Sequence, residues 1–271
     1  MENINAVSLS TCVFNKIKHN EIERSMEIIA EAGYRYVEVA RSFYAGLVDE
    51  VSAVKKAGLK VWAVHGILGE GAISPDKNVR RNTVEKAFNQ AAACAEFVPC
   101  PLVEHYLCRD FDPETGKYFR DSITMFLEKV APLGYTLCIE TAPYKPEFDP
   151  RYPDSVEIAG FVRSFNHENL QMIVDFNHSN LNEDLFEVAQ NSAGLVKNIH
   201  VSQNLGEREN HLPPDHSCGV IDLKAAFDAF RKAGYTGPCN LEFCLPESPT
   251  VDRLREIRLY MEKLLRISTE F

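Results

Sequence analysis

Four stretches of the chain follow one grammar: E-A-G-Y-R-Y-V-E-V (31–39), K-A-G-L-K-V-W-A-V (56–64), P-L-G-Y-T-L-C-I-E (132–140) and K-A-G-Y-T-G-P-C-N-L-E-F (232–243). Each closes a helical pattern on glycine and passes directly into an extended apolar segment. Glycine is favoured just past a helix end because that position commonly takes a left-handed backbone. Each stretch therefore reads as helix, short turn, strand. Extending this reading along the chain gives eight strands: Ala6–Ser10, Tyr36–Val39, Lys60–His65, Leu102–His105, Thr136–Glu140, Gln171–Asp175, Val196–Val201 and Cys239–Phe243. The intervening segments carry helical periodicity. Asn20 is placed to cap the first helix, followed by Ile22, Met26 and Ile29 on one face. Val84, Ala87, Phe88, Ala91 and Ala95 form a second stripe, and Leu254, Ile257, Met261, Leu264 and Leu265 form a third.

Alternating strands and helices imply parallel pairing through right-handed crossovers. Eight such units in about 250 residues are the dimension of a (β/α)8 barrel. A doubly wound open sheet would alternate in the same way. The Gly-rich phosphate turn that would favour it is absent, for the chain holds neither G-x-G-x-x-G nor a P-loop. The expectation is an α/β fold: one barrel domain over residues 1–271, with its active site at the C-terminal ends of the strands.

The residues at those ends decide what chemistry is available. The third strand runs into His65 and the fourth ends Glu104-His105. The next four finish at Glu140, Asp175, His200 and Glu242. Neighbouring parallel strands lie roughly 5 Å apart, so the last four side chains can meet inside the barrel mouth. Three carboxylates gathered there repel one another and lose hydration, at a cost on the order of several kcal/mol per uncompensated ion. A divalent cation removes that cost. Three oxygens and one imidazole nitrogen suit Mn, Mg, Co or Zn and leave positions open for water or substrate. We take Mn first among these. A lone acid at a strand end is ordinarily a solvated loop residue; four on successive strands are not explained that way.

The remaining composition narrows the partners. A net charge of −10, spread along the chain, disfavours a polyanionic partner, because a nucleic-acid site needs clustered Lys and Arg. No run of 18 apolar residues is present, so no membrane-spanning helix is expected. The N-terminus lacks a basic segment followed by an apolar core, which points to the cytoplasm. Eight cysteines are present without a C-x-x-C pair, and Cys138 and Cys239 sit inside apolar runs, so reduced, partly buried thiols are expected.

The set C-I-E140-T, V-D175-F-N-H178, N-I-H200-V-S and N-L-E242-F resembles the xylose isomerase-like barrel superfamily, and within it the sugar-phosphate isomerase/epimerase branch of tagatose and psicose 3-epimerases, hydroxypyruvate isomerase and inosose-processing enzymes. The likeness follows strand order and spacing over nearly the whole chain. It implies a metal-dependent isomerase or epimerase acting on a ketose, keto-sugar or similar small polyol-derived molecule. Glu140, Asp175, His200 and Glu242 would hold one divalent metal, which grips two adjacent oxygens of the substrate. Glu140 and Glu242 would also serve as the acid/base pair on opposite faces, passing a proton through a cis-enediolate. The branch is commonly dimeric or tetrameric, which implies a homo-oligomer.

Substrate contacts are assigned on the same footing. His178 matches the D-x-x-H position, which contacts substrate and can help ligate a second metal. The loop L-G-E-R208-E-N-H211-L-P-P-D-H216-S-C-G219-V-I-D222 resembles the segment ending in G-x-G-x-I-D, with Ser217 in place of the first Gly. That branch places a substrate-binding Arg early in this loop, and Arg208 and His211 are the two counterparts. A second Glu usually follows the first ligand by six residues; here that position is Pro146, and the acid is Glu147. His65 and His105 could reach substrate from their strand ends. Trp62 could form an aromatic wall or pack in the core, Phe14 could line the mouth or cover the core, and Arg41 could meet an anionic group or stay solvated.

Two rivals share the barrel. A type IV apurinic endonuclease would use His65 and His105 for extra zinc ions and a further Asp-x-His in the loop after the seventh strand. Asp215-His216 lacks the intervening residue, and the net charge opposes a nucleic-acid partner. A non-catalytic sugar-binding barrel would be expected to lack one of the paired glutamates, and both are present.

Overall fold

A computed structural model describes residues 6–14, 19–40, 46–66, 68–97, 100–107, 113–142 and 153–266. Arg41, Pro146 and Glu147 lie outside the described residues. In chain order the main elements are β1 Val7–Ser10, α1 Ile22–Glu31, β2 Tyr36–Ala40, α2 Leu47–Lys56, β3 Lys60–His65, α3 Lys77–Ala93, β4 Pro101–His105, α4 Pro113–Val130 and β5 Thr136–Glu140. They continue with α5 Ser155–Arg163, β6 Leu170–Asp175, α6 Phe176–Ser179, α7 Leu185–Asn191, β7 Val196–Val201, α8 Leu223–Lys232, β8 Cys239–Leu241 and α9 Val251–Leu265.

The eight strands pair in parallel, in sequence order, and β8 closes on β1. The chain is a (β/α)8 barrel, as the punctuation pattern requires. Gly33, Gly58, Gly134 and Gly234, the four glycines of that pattern, all have φ between 74° and 92°. A side chain would be strained there, so these glycines set where each helix stops and the following strand begins. Several helix starts are fixed by carboxylates that accept the first free backbone N–H groups. Asp154 accepts from Glu157 N at 2.9 Å and Asp222 from Ala225 N at 3.0 Å. Asn20 does not cap α1. It lies inside a 3-10 turn, His19–Glu21, which moves the helix start to Ile22.

The outward faces of the strands and the inward faces of the helices form the main core. Met26 and Ile29 of α1, Val84, Ala87 and Ala91 of α3, and Leu254, Ile257, Met261 and Leu265 of α9 are buried in it. Phe14 also packs against this core. Inside the barrel a separate small layer, Ala63, Val103, Cys138 and Ile173, is wholly apolar. The described cysteines, Cys138 and Cys239 among them, are free thiols. Among the described residues no helix is long and apolar enough to cross a membrane.

Two register shifts alter the barrel's lower half. Val37 pairs with Val61 but Glu38 with Ala63, so Trp62 is an extra residue in β3. Met172 pairs with Val196 but Ile173 with Asn198, so Lys197 is extra in β7. A bulge redirects its side chain. Trp62 packs on the inner apolar layer and against Tyr36, ring edge to face. It lines a cavity of about 390 Å3 with Pro101, Thr136 and Val196, which start their strands. Trp62 therefore stands at the opposite end of the barrel from the strand termini, packed in the core rather than beside the acids at those termini.

Ile257 is fully buried between α9 and the core. Ile257→Ala should cost about 2–5 kcal/mol, measured as a fall in denaturation midpoint with unchanged slope. A change within 0.5 kcal/mol, the range about expected for surface positions, would contradict this packing.

Candidate active site

The strand ends bring Glu140, Asp175, His200 and Glu242 together. One ligand atom from each lies within 4.8 Å of the others, and all four residues are buried. The pairing register explains why: His105 faces Glu140 across β4–β5, and Asp175 faces His200 across β6–β7. β8 ends at Leu241, two residues earlier than the Cys239–Phe243 expected from its apolar pattern, so Glu242 follows the strand, held by its N–H donating to Val201 O at 3.0 Å.

His200 is the hub. Its Nδ1 lies 2.8 Å from Glu140 Oε1 and 2.7 Å from Glu242 Oε2. A single N–H cannot serve both. It is aligned on Glu140, and Glu242 Oε2 is left without a hydrogen bond. The other face of the ring meets Glu38, whose Oε2 is 2.8 Å from Nε2. Glu38 was not among the candidates, because it lies within its strand rather than at the end. Two-residue alternation from Tyr36 was the available signal, since it places a carboxylate inside the barrel.

Asp175 is both strand terminus and helix cap. Its Oδ1 accepts from Asn177 N at 2.6 Å and His178 N at 3.2 Å, starting α6. Its Oδ2 is buried without a partner. His178 Nδ1 donates to the Thr141 carbonyl at 2.8 Å, which turns Nε2 toward Asp175 Oδ2, 3.5 Å away. That Nε2 is also buried and unpartnered. Two carboxylate oxygens and one imidazole nitrogen among these residues are thus buried without partners, a costly arrangement unless a cation meets them. The donor set and these orphans fit a divalent metal.

The loop after β7 is clamped by Gln203, which exchanges backbone hydrogen bonds with Leu212 and holds Ile221 through its side-chain amide. The clamp turns His211 inward with a strained left-handed backbone, φ 44°. His211 Nδ1 donates to the Glu242 carbonyl at 3.0 Å, and Nε2 meets Glu209 Oε1 at 2.7 Å. Glu209 is also 3.6 Å from His178 Nε2. Of the two proposed loop contacts His211 joins the cluster. Arg208 is exposed, and its neighbour Glu209, which the motif did not suggest, takes the inward position. Asp215 forms a bidentate ion pair with Arg253 of α9, and His216 is exposed.

His65 Nε2 lies 3.2 Å from Glu140 Oε2 and its Nδ1 3.6 Å from Glu242 Oε1. His105 Nδ1 lies 3.0 Å from Glu140 Oε2, with 44% of its side chain exposed. Further sets close enough for an ion are His65, His105 and Glu140; Asp175, His178 and His211; and Glu38, His65 and Glu242. Glu104 points the other way, accepting from Leu68 N at 2.6 Å.

Burial would weaken every charge here, and the mutual attraction of the groups reverses it for most. Burial pushes His200 down, but Glu38, Glu242 and Glu140 hold it well above the usual imidazole range. His65 and His178 rise to about 9 and His211 to about 10, each against burial and because of facing carboxylates. Burial would raise Glu140 and Glu242, yet His65 and His200 hold both well below the usual carboxylate range. Asp175 is the exception, since burial outweighs His178 and raises it.

The sequence matches the xylose isomerase-like TIM barrel family over residues 26–264. The chain belongs to that family. No curated protein sequence matches it. Similar solved structures include an L-ribulose 3-epimerase, at 17% identity and TM-score 0.79 over 97% of this chain and 95% of that one. A D-tagatose 3-epimerase-like protein follows at 17% identity and TM-score 0.78, with 97% of each chain covered. A 3-keto-D-glucoside 4-epimerase from E. coli has 18% identity and TM-score 0.75, covering 95% of this chain and 98% of that one. At these identities the likeness establishes the shared barrel.

The raised imidazoles have a consequence for stability. A group whose folded pKa lies above its unfolded value of 6.5 stabilises most fully below 6.5 and loses that contribution as pH rises through the folded value. Metal-free protein should therefore lose stability between about pH 6.5 and 10. Urea denaturation of chelator-treated protein checks this: a midpoint that stays level or rises over that window contradicts the charge arrangement.

Proposed function

We propose that the chain is a metal-dependent sugar isomerase or epimerase that moves a proton on a carbon beside a carbonyl. The observation that carries this reading is the convergence of Glu140, Asp175, His200 and Glu242 with buried, unpartnered oxygens on Asp175 and Glu242. Two of the similar structures, an L-ribulose 3-epimerase and a 3-keto-D-glucoside 4-epimerase, are sugar epimerases by name, which agrees with it.

A carbon acid next to a carbonyl is weak, so it needs a positioned base and relief of charge on oxygen. Glu140, Asp175, His200 and Glu242 would hold the ion, which supplies Lewis-acid stabilisation to the substrate oxygens. Glu140 and Glu242 remain ionised at neutral pH because of the imidazoles facing them, and an ionised carboxylate is the form that accepts a proton. One of the two, as the carboxylate, takes the carbon proton, and the other returns a proton once it has gained one from water or a substrate hydroxyl. Return on the opposite face inverts the carbon, and return to the neighbouring carbon isomerises the substrate. His178, with Nδ1 tied to the Thr141 carbonyl, presents an unpartnered Nε2 and would orient a substrate hydroxyl, with His211, its Nε2 paired to Glu209, beside it. His105, partly exposed at the rim, would do the same from the other side.

The phosphodiesterase alternative draws on one specific observation. His65 and His105 flank Glu140, and Glu209 with His211 stands beside His178, so two further ion-sized clusters adjoin the first. The net charge of −10 weighs against a nucleic-acid substrate.

The deciding experiment incubates the Mn-loaded protein with ketoses, inososes and hydroxypyruvate in deuterated water. Exchange into one of these is expected, and Glu140→Gln or Glu242→Gln should slow it by at least about 100-fold. Wild-type exchange rates in both variants would sink the acid/base assignment. Metal analysis separates the readings: one ion per chain supports the isomerase, three with cleavage of abasic DNA the nuclease, and none with retained sugar affinity the binding module.

A further inference from the structure

His200 reaches two sets of carboxylates, one on each side of its ring, and only one set belongs to the proposed metal site. Nδ1 faces Glu140 and Glu242, whereas Nε2 faces Glu38 alone. Glu38 is wholly buried on β2, across the barrel from β7. Its second oxygen accepts from Asn240 Nδ2 at 3.0 Å, and Asn240 Oδ1 accepts from Ser8 Oγ at 2.5 Å. Ser8, Asn240 and Glu38 are all buried, on β1, β8 and β2. A relay of fixed hydrogen bonds therefore runs across three strands and ends on one nitrogen of one imidazole.

We propose that Glu38 is a positioning residue: it fixes the ring and tautomer of His200 so that Nδ1 is the nitrogen offered to the ion. This rests on the metal site proposed above. The physical reason is that a ligating imidazole has one free N–H, and a carboxylate accepting it fixes the ring orientation and raises the basicity of the ligating nitrogen. A buried carboxylate with no such partner would be strongly disfavoured, so Glu38 and His200 hold each other. Asn240, itself held by Ser8, donates to the second oxygen of Glu38 and opposes a swing toward His65, whose Nδ1 lies 3.9 Å from that oxygen.

The test measures Mn affinity by calorimetry on the metal-free full chain. Glu38→Gln, which keeps size and removes charge, should weaken binding by about 10–100-fold. Asn240→Ser, which frees Glu38 without touching His200, should weaken it in the same direction by a smaller factor and serves if the first variant does not fold. Nitrogen NMR of the Zn-loaded wild type adds a readout that a merely structural role would not fix: His200 should be ligated through Nδ1 and protonated at Nε2. Wild-type affinity in folded Glu38→Gln, or ligation through Nε2, overturns the role of Glu38 while leaving the metal site standing. Absence of Mn binding by the wild type overturns both.

Discussion

Four carboxylates, Glu38, Glu140, Asp175 and Glu242, are buried within reach of one imidazole at the barrel mouth. No other feature of the fold is so expensive. Each ion withdrawn from water costs on the order of several kcal/mol unless charge of the opposite sign is close. The neighbouring imidazoles supply that charge, which is why His65, His178, His200 and His211 all titrate above their usual range. A divalent cation would do the same work at a single point and would satisfy the oxygens that imidazoles leave unpaired. Protons and metal thus compete for one place, and metal affinity should fall as the solution becomes more acidic.

The barrel supports this concentration of charge by dividing its interior. The upper part carries the acids and imidazoles, fixed by backbone contacts from α6 and the loop after β7. Below it, Ala63, Val103, Cys138 and Ile173 form a small apolar layer. The charged groups above are themselves buried, so their electrostatics act in a low dielectric. The two bulged residues, Trp62 and Lys197, lie beneath it at the other end.

Much of this was legible in the residues. Glycine after four of the helices gave the starts of β2, β3, β5 and β8, since few other residues tolerate φ near +80°. The strand ends then gave Glu140, Asp175, His200 and Glu242, because a period of two carries the last inward residue into the mouth. What escaped reading depends on register and loop geometry. Trp62 could have been a wall beside His65 or a core residue, and one inserted residue in β3 places it at the barrel floor. Arg208 and Glu209 are adjacent, and only the Gln203 clamp decides which of them faces inward. Glu38 sits mid-strand, and its importance follows from a partner 162 positions away. Asn20 fits a capping rule, but a 3-10 turn forms first and displaces the helix start.

The central claim is that one ion sits among Glu140, Asp175, His200 and Glu242. Anomalous diffraction at the Mn absorption edge, on crystals grown with Mn, addresses it directly. The account predicts one dominant peak within bonding distance of an oxygen from each of the three carboxylates and of His200 Nδ1. A dominant peak elsewhere, such as between His178 and His211, or no peak at the four residues, would contradict it.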